Sequence, residues 1–308
     1  MLMKSLVLWL ALLVCPLAFS QENPAPVTLP GSGQDAKANT DSIVPAHLSR
    51  EQIQEIIRQV AEKDDENDKR QRDYTYVERV EEHKLNGKGG VTSTETRTYD
   101  VLEIYSEQVR RLTAKNDKPL SAKDAAKEEE KIQKVIDKRK NESESQREKR
   151  LKQEEKDREE ERRFVKEVAD AYDFTLVGVE TLDGRETYVI DAEPRPGFEP
   201  KSREAKVLPK FRFRVWIDRA QNQWVKLDAQ CIDTVSFGWF LARIHKGSRI
   251  SIDTSRINDE VWLPRHIAVH VDVRVALVKN FDVDQDITYK DYKKFRAASK
   301  IVGMEEVK

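Results

Sequence analysis

The stretch Phe211–Ile232, FRFRVWIDRAQNQWVKLDAQCI, decides the fold. Read with a period of two, Phe211, Phe213, Val215 and Ile217 fall on one face, and Arg212, Arg214, Trp216 and Asp218 on the other. That is the pattern of a half-buried strand. Past a polar turn at 219–223 the alternation resumes, with Val225, Leu227, Ala229 and Cys231 facing one way and Lys226, Asp228 and Gln230 the other. Such a short connection cannot carry a parallel crossover, so the two strands form an antiparallel hairpin. The spacing predicts a sheet with one apolar and one wet face, and the apolar face needs a cover.

Outward from this hairpin the chain repeats the pattern. On the C-terminal side, 247–255 and 261–278 flank an Asn258-Asp259 turn, Ile267, Val269, Val271, Val273 and Val275 alternate strictly, and 281–295 reads as a last strand. On the N-terminal side, 174–180 and 185–192 are strands joined at Asp183-Gly184, and the proline-rich 194–209 is a loop. Further back, 74–80, 91–99 and 101–112 read as strands, the first two joined through the glycine-rich 85–90. Those glycines lack the Lys-Ser/Thr ending of a phosphate loop and sit in a hairpin. Ser49 and Gln52 form a capping box ahead of Ile53, Ile56, Ile57 and Val60, which predicts a helix from Arg50 to about Asp64-Asp65.

Between the strands, 121–172 is different. From Asp137 to Arg163 only Leu151 is clearly hydrophobic, and Glu130 with Lys134, Glu148 with Lys152 and Glu154 with Arg158 stand at i,i+4 in the favourable order. This predicts a solvated helix or helix pair with a bend near Asn141–Ser145, docked at its far end by Phe164, Val165, Val168, Ala169 and Tyr172.

The totals fit a chain of which only part is core: 308 residues, 36% charged, mean hydropathy -0.73. Lys4, the apolar run Leu6–Val14 and Ala18-Phe19-Ser20 read as a cleaved secretory signal. The Val14-Cys15 context does not suit lipidation. Removing the signal leaves Cys231 as the lone cysteine, so no internal disulfide forms, and its place on an apolar face reads as buried filler. Residues 21–47, rich in Pro and Gly without hydrophobic period, read as a flexible linker. A formal net charge of -1 gives no argument for nucleic acid.

Motifs of catalysis are missing from the sequence. None of the histidines forms HExxH, and His266 and His270, on one strand face, are about 13 Å apart, too far to share a metal. No GxSxG elbow occurs. The expectation is a protein that is not an enzyme, with no cofactor and no metal. The segment VSFGWFLARI (235–244) packs Phe237, Trp239, Phe240 and Leu241 between two strands. It reads as an apolar lid, or as a flap that admits an acyl chain or touches a membrane surface.

With the RVWID strand, the QWVKLDA return strand and the later VWLPRHIAVHVDV strand in view, the chain resembles the LolA-like periplasmic lipoprotein carriers, the outer-membrane lipoprotein-sorting proteins, over about 48–112 and 172–295. The resemblance implies an α+β fold: a curved antiparallel β-sheet, or half-barrel, closed by helices over a cavity for acyl chains. It implies that Phe211, Phe213, Val215, Ile217, Val225, Leu227, Phe237, Trp239, Phe240 and Leu241 line or cover that cavity. The alternative, that these residues fill a dry core, stays open on the sequence. The expected organisation is a signal peptide (1–20), a linker (21–47), the half-barrel domain (48–295) interrupted by the charged insertion (121–172), and a basic tail (296–308). The charged insertion and the proline-rich loop depart from the compact carrier pattern. The functional expectation is a periplasmic binder or carrier of lipid or lipoprotein acyl chains. The alternative is an envelope signalling or scaffold module that binds a protein partner through 121–172.

Overall fold

The computed structural model describes residues 43–105, 107–237, 242–275 and 279–294. Helix α1 (Arg50–Gln71) begins at the capping box, where Ser49 and Gln52 each accept the other's backbone N–H. It continues past Asp65 to Gln71 because Asn67 is drawn into the protein, where its side chain meets the backbone of Trp262.

All the strands join one antiparallel sheet. In chain order they are β1 (Tyr74–Leu85), β2 (Val91–Ile104), β3 (Glu107–Lys115), β4 (Lys118–Pro119), β5 (Tyr172–Leu182), β6 (Arg185–Pro194), β7 (Phe211–Asp218), β8 (Gln223–Cys231), β9 (Val235–Phe237), β10 (Ala242–Ile244), β11 (Arg249–Ile257), β12 (Val261–Val275) and β13 (Lys279–Lys294). Across the sheet they run β4-β3-β2-β1-β13-β12-β11-β8-β7-β6-β5, with β10 attached to β12 and β9 to β10. β4 and β5 do not pair with each other, so the sheet is open.

Cross-strand register shows where the core sits. One row of facing residues crosses the sheet as Leu176, Ile190, Val215, Leu227, Ile252, Ile267, Ile287 and Val80. The same row then continues as Arg97 and Lys115. The inner face is therefore apolar from β5 to β1 and polar beyond it. α1 lies on the apolar part, and its stripe of Ile53, Ile56, Ile57 and Val60 joins the main core.

Several boundaries differ from the sequence reading. β2 runs through Asp100 to Ile104, and the break before β3 falls at Tyr105, whose φ of 51° turns the chain. The proline-rich loop ends in a 3-10 helix, Glu204–Lys210. The outer face is not uniformly wet. Trp216 and Val225 pack with Val189 and Trp262 into a second cluster, which Ile43, Val177 and Leu182 close. Asp218 is buried too, accepting the N–H groups of Ala220 and Gln221 at 2.9 Å each and so tying the β7–β8 turn. The end of the segment read as linker is engaged: Val44 and Val179 exchange backbone hydrogen bonds of 2.7 and 2.8 Å. Gly178 makes this approach possible, since a Cβ there would stand 2.4 Å from the Val44 carbonyl oxygen.

Residues 121–172 form α2 (Ala122–Lys140) and α3 (Glu144–Ala171), each opened by a capping serine, Ser121 and Ser143. Because α2 follows β4 and α3 leads into β5, the pair joins the two edges of the open sheet. At the corner Glu142 accepts from Arg150 Nε at 3.0 Å and from Arg139 Nη1 at 3.4 Å. The Arg150 guanidinium holds the Glu142 carboxyl below its ordinary value. A lowered carboxyl pKa stabilises above the unfolded value and loses that contribution as pH falls. Glu142→Gln should accordingly lower Tm at neutral pH, and the gap from the native chain should close below about pH 4. Thermal melts at several pH values check this, and a gap that persists in acid would contradict it.

Candidate functional site: an apolar cavity under two helices

Between the inner face and the two helices lies a cavity of about 70 Å³. Its floor is Phe213, Val215, Ile217, Trp224, Leu227 and Ile252, with Phe174 at one side. Its roof is Ile57, Val60 and Ala61 of α1 and Val165, Val168 and Ala169 of α3. The one charged residue in the lining is Asp64, whose carboxylate accepts from the Trp224 indole N–H at 2.8 Å. That bond fixes the ring in the floor and ties α1 to β8.

The roof is unevenly fastened. Only Ile53 of α1's apolar stripe is fully buried, while Ile56, Ile57 and Val60 are half-buried. α3, by contrast, is pinned at its C-terminal end. Phe164, Val168, Ala171 and Tyr172 pack with Ala192, Ala205 and Leu208, and the Tyr172 hydroxyl donates to the Leu208 carbonyl at 2.7 Å. Glu167 accepts the backbone N–H groups of Lys201 and Ser202 at 3.0 and 3.4 Å, so the proline-rich loop grips α3 from below. Val168 thus both ties 121–172 to the sheet and walls the cavity.

Phe213, Val215, Ile217 and Leu227, all expected in the lining, come together there. Phe211 packs on the edge of the main core without reaching the cavity. Val225 faces the other way, and this corrects the alternation read from the sequence. The β7–β8 pairing shifts register, with Trp216 opposite Lys226 but Ile217 opposite Trp224, so Val225 is the extra residue of a β-bulge. The bulge sends Val225 to the outer cluster and brings Trp224 into the floor. The adjacent bulky pair Trp224-Val225 was the signal for it, because a strict period of two cannot bury both residues on one face. Phe237 ends β9, and Trp239, Phe240 and Leu241 lie outside the described residues. The missed lining residues Ile57, Val60, Val165 and Val168 belong to helical stripes that the sequence did display.

The remaining reactive groups are engaged elsewhere. The Cys231 thiol is buried and donates to the Asp233 carbonyl at 3.0 Å, and burial pushes its pKa up, away from a nucleophile's range. His266 meets Asp286 at 2.6 Å and His270 meets Asp284 at 2.7 Å. Among the described residues no three His, Cys, Asp or Glu side chains are grouped to hold a metal ion. On β1 Glu78 is buried against Arg110 beside Tyr76 and Tyr289, and burial raises the Glu78 carboxyl.

The described residues thus form an open antiparallel sheet with an apolar hollow roofed by two helices. No protein-family model matches the chain, and no curated protein does. Solved structures similar to it include an outer membrane lipoprotein-sorting protein domain from Vibrio parahaemolyticus, at 12% identity and TM-score 0.33 over 81% of this chain and 95% of that one. A DUF1329 family protein from Desulfovibrio piger follows at 12% identity and TM-score 0.27, over 82% of this chain and 94% of that one. A LolA superfamily protein from Nitrosomonas europaea has 11% identity and TM-score 0.25, over 79% and 93%. These are proteins of the kind the sequence resembles.

Proposed function

We propose that this protein is a periplasmic, non-enzymatic binder or carrier of lipid or lipoprotein acyl chains, held between the inner face of the sheet and the roof of α1 and α3. The observation that carries the reading is the lining itself: a hollow apolar on floor and roof, with one carboxylate already engaged by an indole. Apolar lining of this kind has nothing to offer a polar substrate. Each methylene taken from water contributes about 0.8 kcal/mol, so six buried carbons supply roughly 5 kcal/mol. A cavity of about 70 Å³ takes only the first few carbons of a tail, so a longer chain enters as the half-buried stripe of α1 lifts. The periplasmic setting is supported by the signal-like run at Leu6–Val14. Among the described residues no helix is long and apolar enough to cross a membrane.

Native mass spectrometry of the protein purified from the envelope fraction, with organic extraction of what it carries, tests the reading. The expected result is a bound lipid or acylated peptide. A bare mass that stays bare after incubation with envelope lipids would sink the proposal.

A further inference from the structure

The apolar cavity has a polar neighbour. A groove of about 460 Å³ runs beside it, lined by Ala46, His47, Leu48 and Arg50 ahead of and within α1, and by Asp173, Thr175 and Leu176 of β5. The linings of the two hollows have one residue in common, Phe174. Its half-buried ring stands edge-on to Phe213, centroids 6.3 Å apart, and tilted against Tyr172 at the same distance. Among the described residues no other side chain borders both spaces. Phe174 is therefore the point at which the hydrocarbon cavity adjoins a groove that carries charged groups.

The groove's charged lining pair, Arg50 and Asp173, is joined by a second guanidinium just outside it, that of Arg195. Asp173 Oδ1 accepts from Arg50 Nη2 at 3.3 Å and from Arg195 Nε at 3.1 Å, so two guanidinium groups share one carboxylate oxygen. Arg195 is further held by the Tyr172 carbonyl at 2.9 Å. Arg50 is 69% exposed and has the longer of the two bonds. An incoming anion can take Arg50 while Asp173 remains paired with Arg195. A cationic head would meet Arg50 with Asp173 already engaged by Arg195.

Resting on the acyl-chain reading above, we propose that the two hollows form one site for a single-chain amphiphile with an anionic headgroup. The tail occupies the cavity, the head lies in the groove against Arg50, and Phe174 is the ring that turns aside between them. The headgroup is a phosphate or a carboxylate, either of which a guanidinium binds in a charge-assisted pair. Tail burial supplies most of the affinity and Arg50 selects the head.

The test is isothermal titration of the full mature chain with lysophosphatidylglycerol, a fatty acid and a neutral monoacylglycerol of equal chain length. The native protein is expected to prefer the two anionic ligands over the neutral one. Arg50→Glu should cut that preference about fivefold, the scale of one exposed charge interaction, and Arg50→Lys should restore most of it. A loss seen for both anions assigns the groove to negative charge in general, and a loss for the lysophospholipid alone assigns it to phosphate. Phe174→Trp, which enlarges the dividing ring, should weaken all three, with circular dichroism confirming that the variant folds. If the native protein binds all three alike and Arg50→Glu changes nothing, the headgroup site is refuted while the cavity stands. Undiminished binding by Phe174→Trp refutes the connection between the hollows. Binding of none of the three by the native protein removes the acyl-chain reading and this inference with it.

Discussion

Leu227→Trp should abolish acyl-chain binding while leaving the protein folded. Leu227 sits in the middle of the cavity floor, opposite Val215 on β7 and Ile252 on β11. An indole there projects into the cavity and takes the place of the first carbons of a tail. Overpacking a filled core costs about 1–3 kcal/mol, but filling an empty space costs less. Leu227→Ala has the opposite signature. It deletes contacts and should cost about 2–5 kcal/mol of stability, yet it deepens the hollow and should retain binding. The pair separates a working cavity from an imperfectly filled core: titration with a fatty acid, alongside urea denaturation, reads both quantities. If Leu227→Trp binds as the native chain does, the tail lies elsewhere. If it unfolds like a badly overpacked variant, the space is core.

The hairpin at 211–232 was legible because its residues alternate and its partners repeat the pattern, and the α1 start was legible because a capping box is a purely local device. Local signals stop at the bulge. The sequence shows Trp224 and Val225 side by side, but the place where a ladder gains a residue depends on both strands, and β7 carries no mark of it. The roof was half legible. The stripes on α1 and α3 announced that each helix docks, but not that they share a cavity with β7 and β8, because that follows from strand order, and β8 pairs with β11 rather than with its chain neighbour β9. The outer cluster was hidden for a similar reason: Ile43, Trp216 and Trp262 are distant in the chain and meet only when Gly178 lets the Ile43–Val44 segment lie against β5. Phe174, which divides the apolar hollow from the polar groove, looked like an ordinary strand residue.

Asn67→Ala should cost about 2–4 kcal/mol, a large effect for one residue near the end of a helix. The cause lies in the sheet. β13 pairs with β12 only from His266 onward, so the backbone of Trp262 lies beyond the end of that ladder. Its N–H and C=O are buried there and need partners. Asn67 supplies both: its Nδ2 donates to the Trp262 carbonyl and its Oδ1 accepts the Trp262 N–H, each at 2.7 Å. With 6% of its surface exposed, Asn67 acts as one rung of the missing strand, carried by α1. Alanine orphans both backbone groups at about 1–3 kcal/mol each, less what an entering water recovers. Asn67→Asp keeps the acceptor, loses the donor and buries a charge, so it should be no better than alanine at neutral pH and should recover in part as acid protonates it. Urea midpoints for both variants measure the cost. Hydrogen exchange along α1 should show its C-terminal half opening first, since the rung is what fastens that half to β12. A loss below about 0.5 kcal/mol would mean that water satisfies Trp262 as well as Asn67 does.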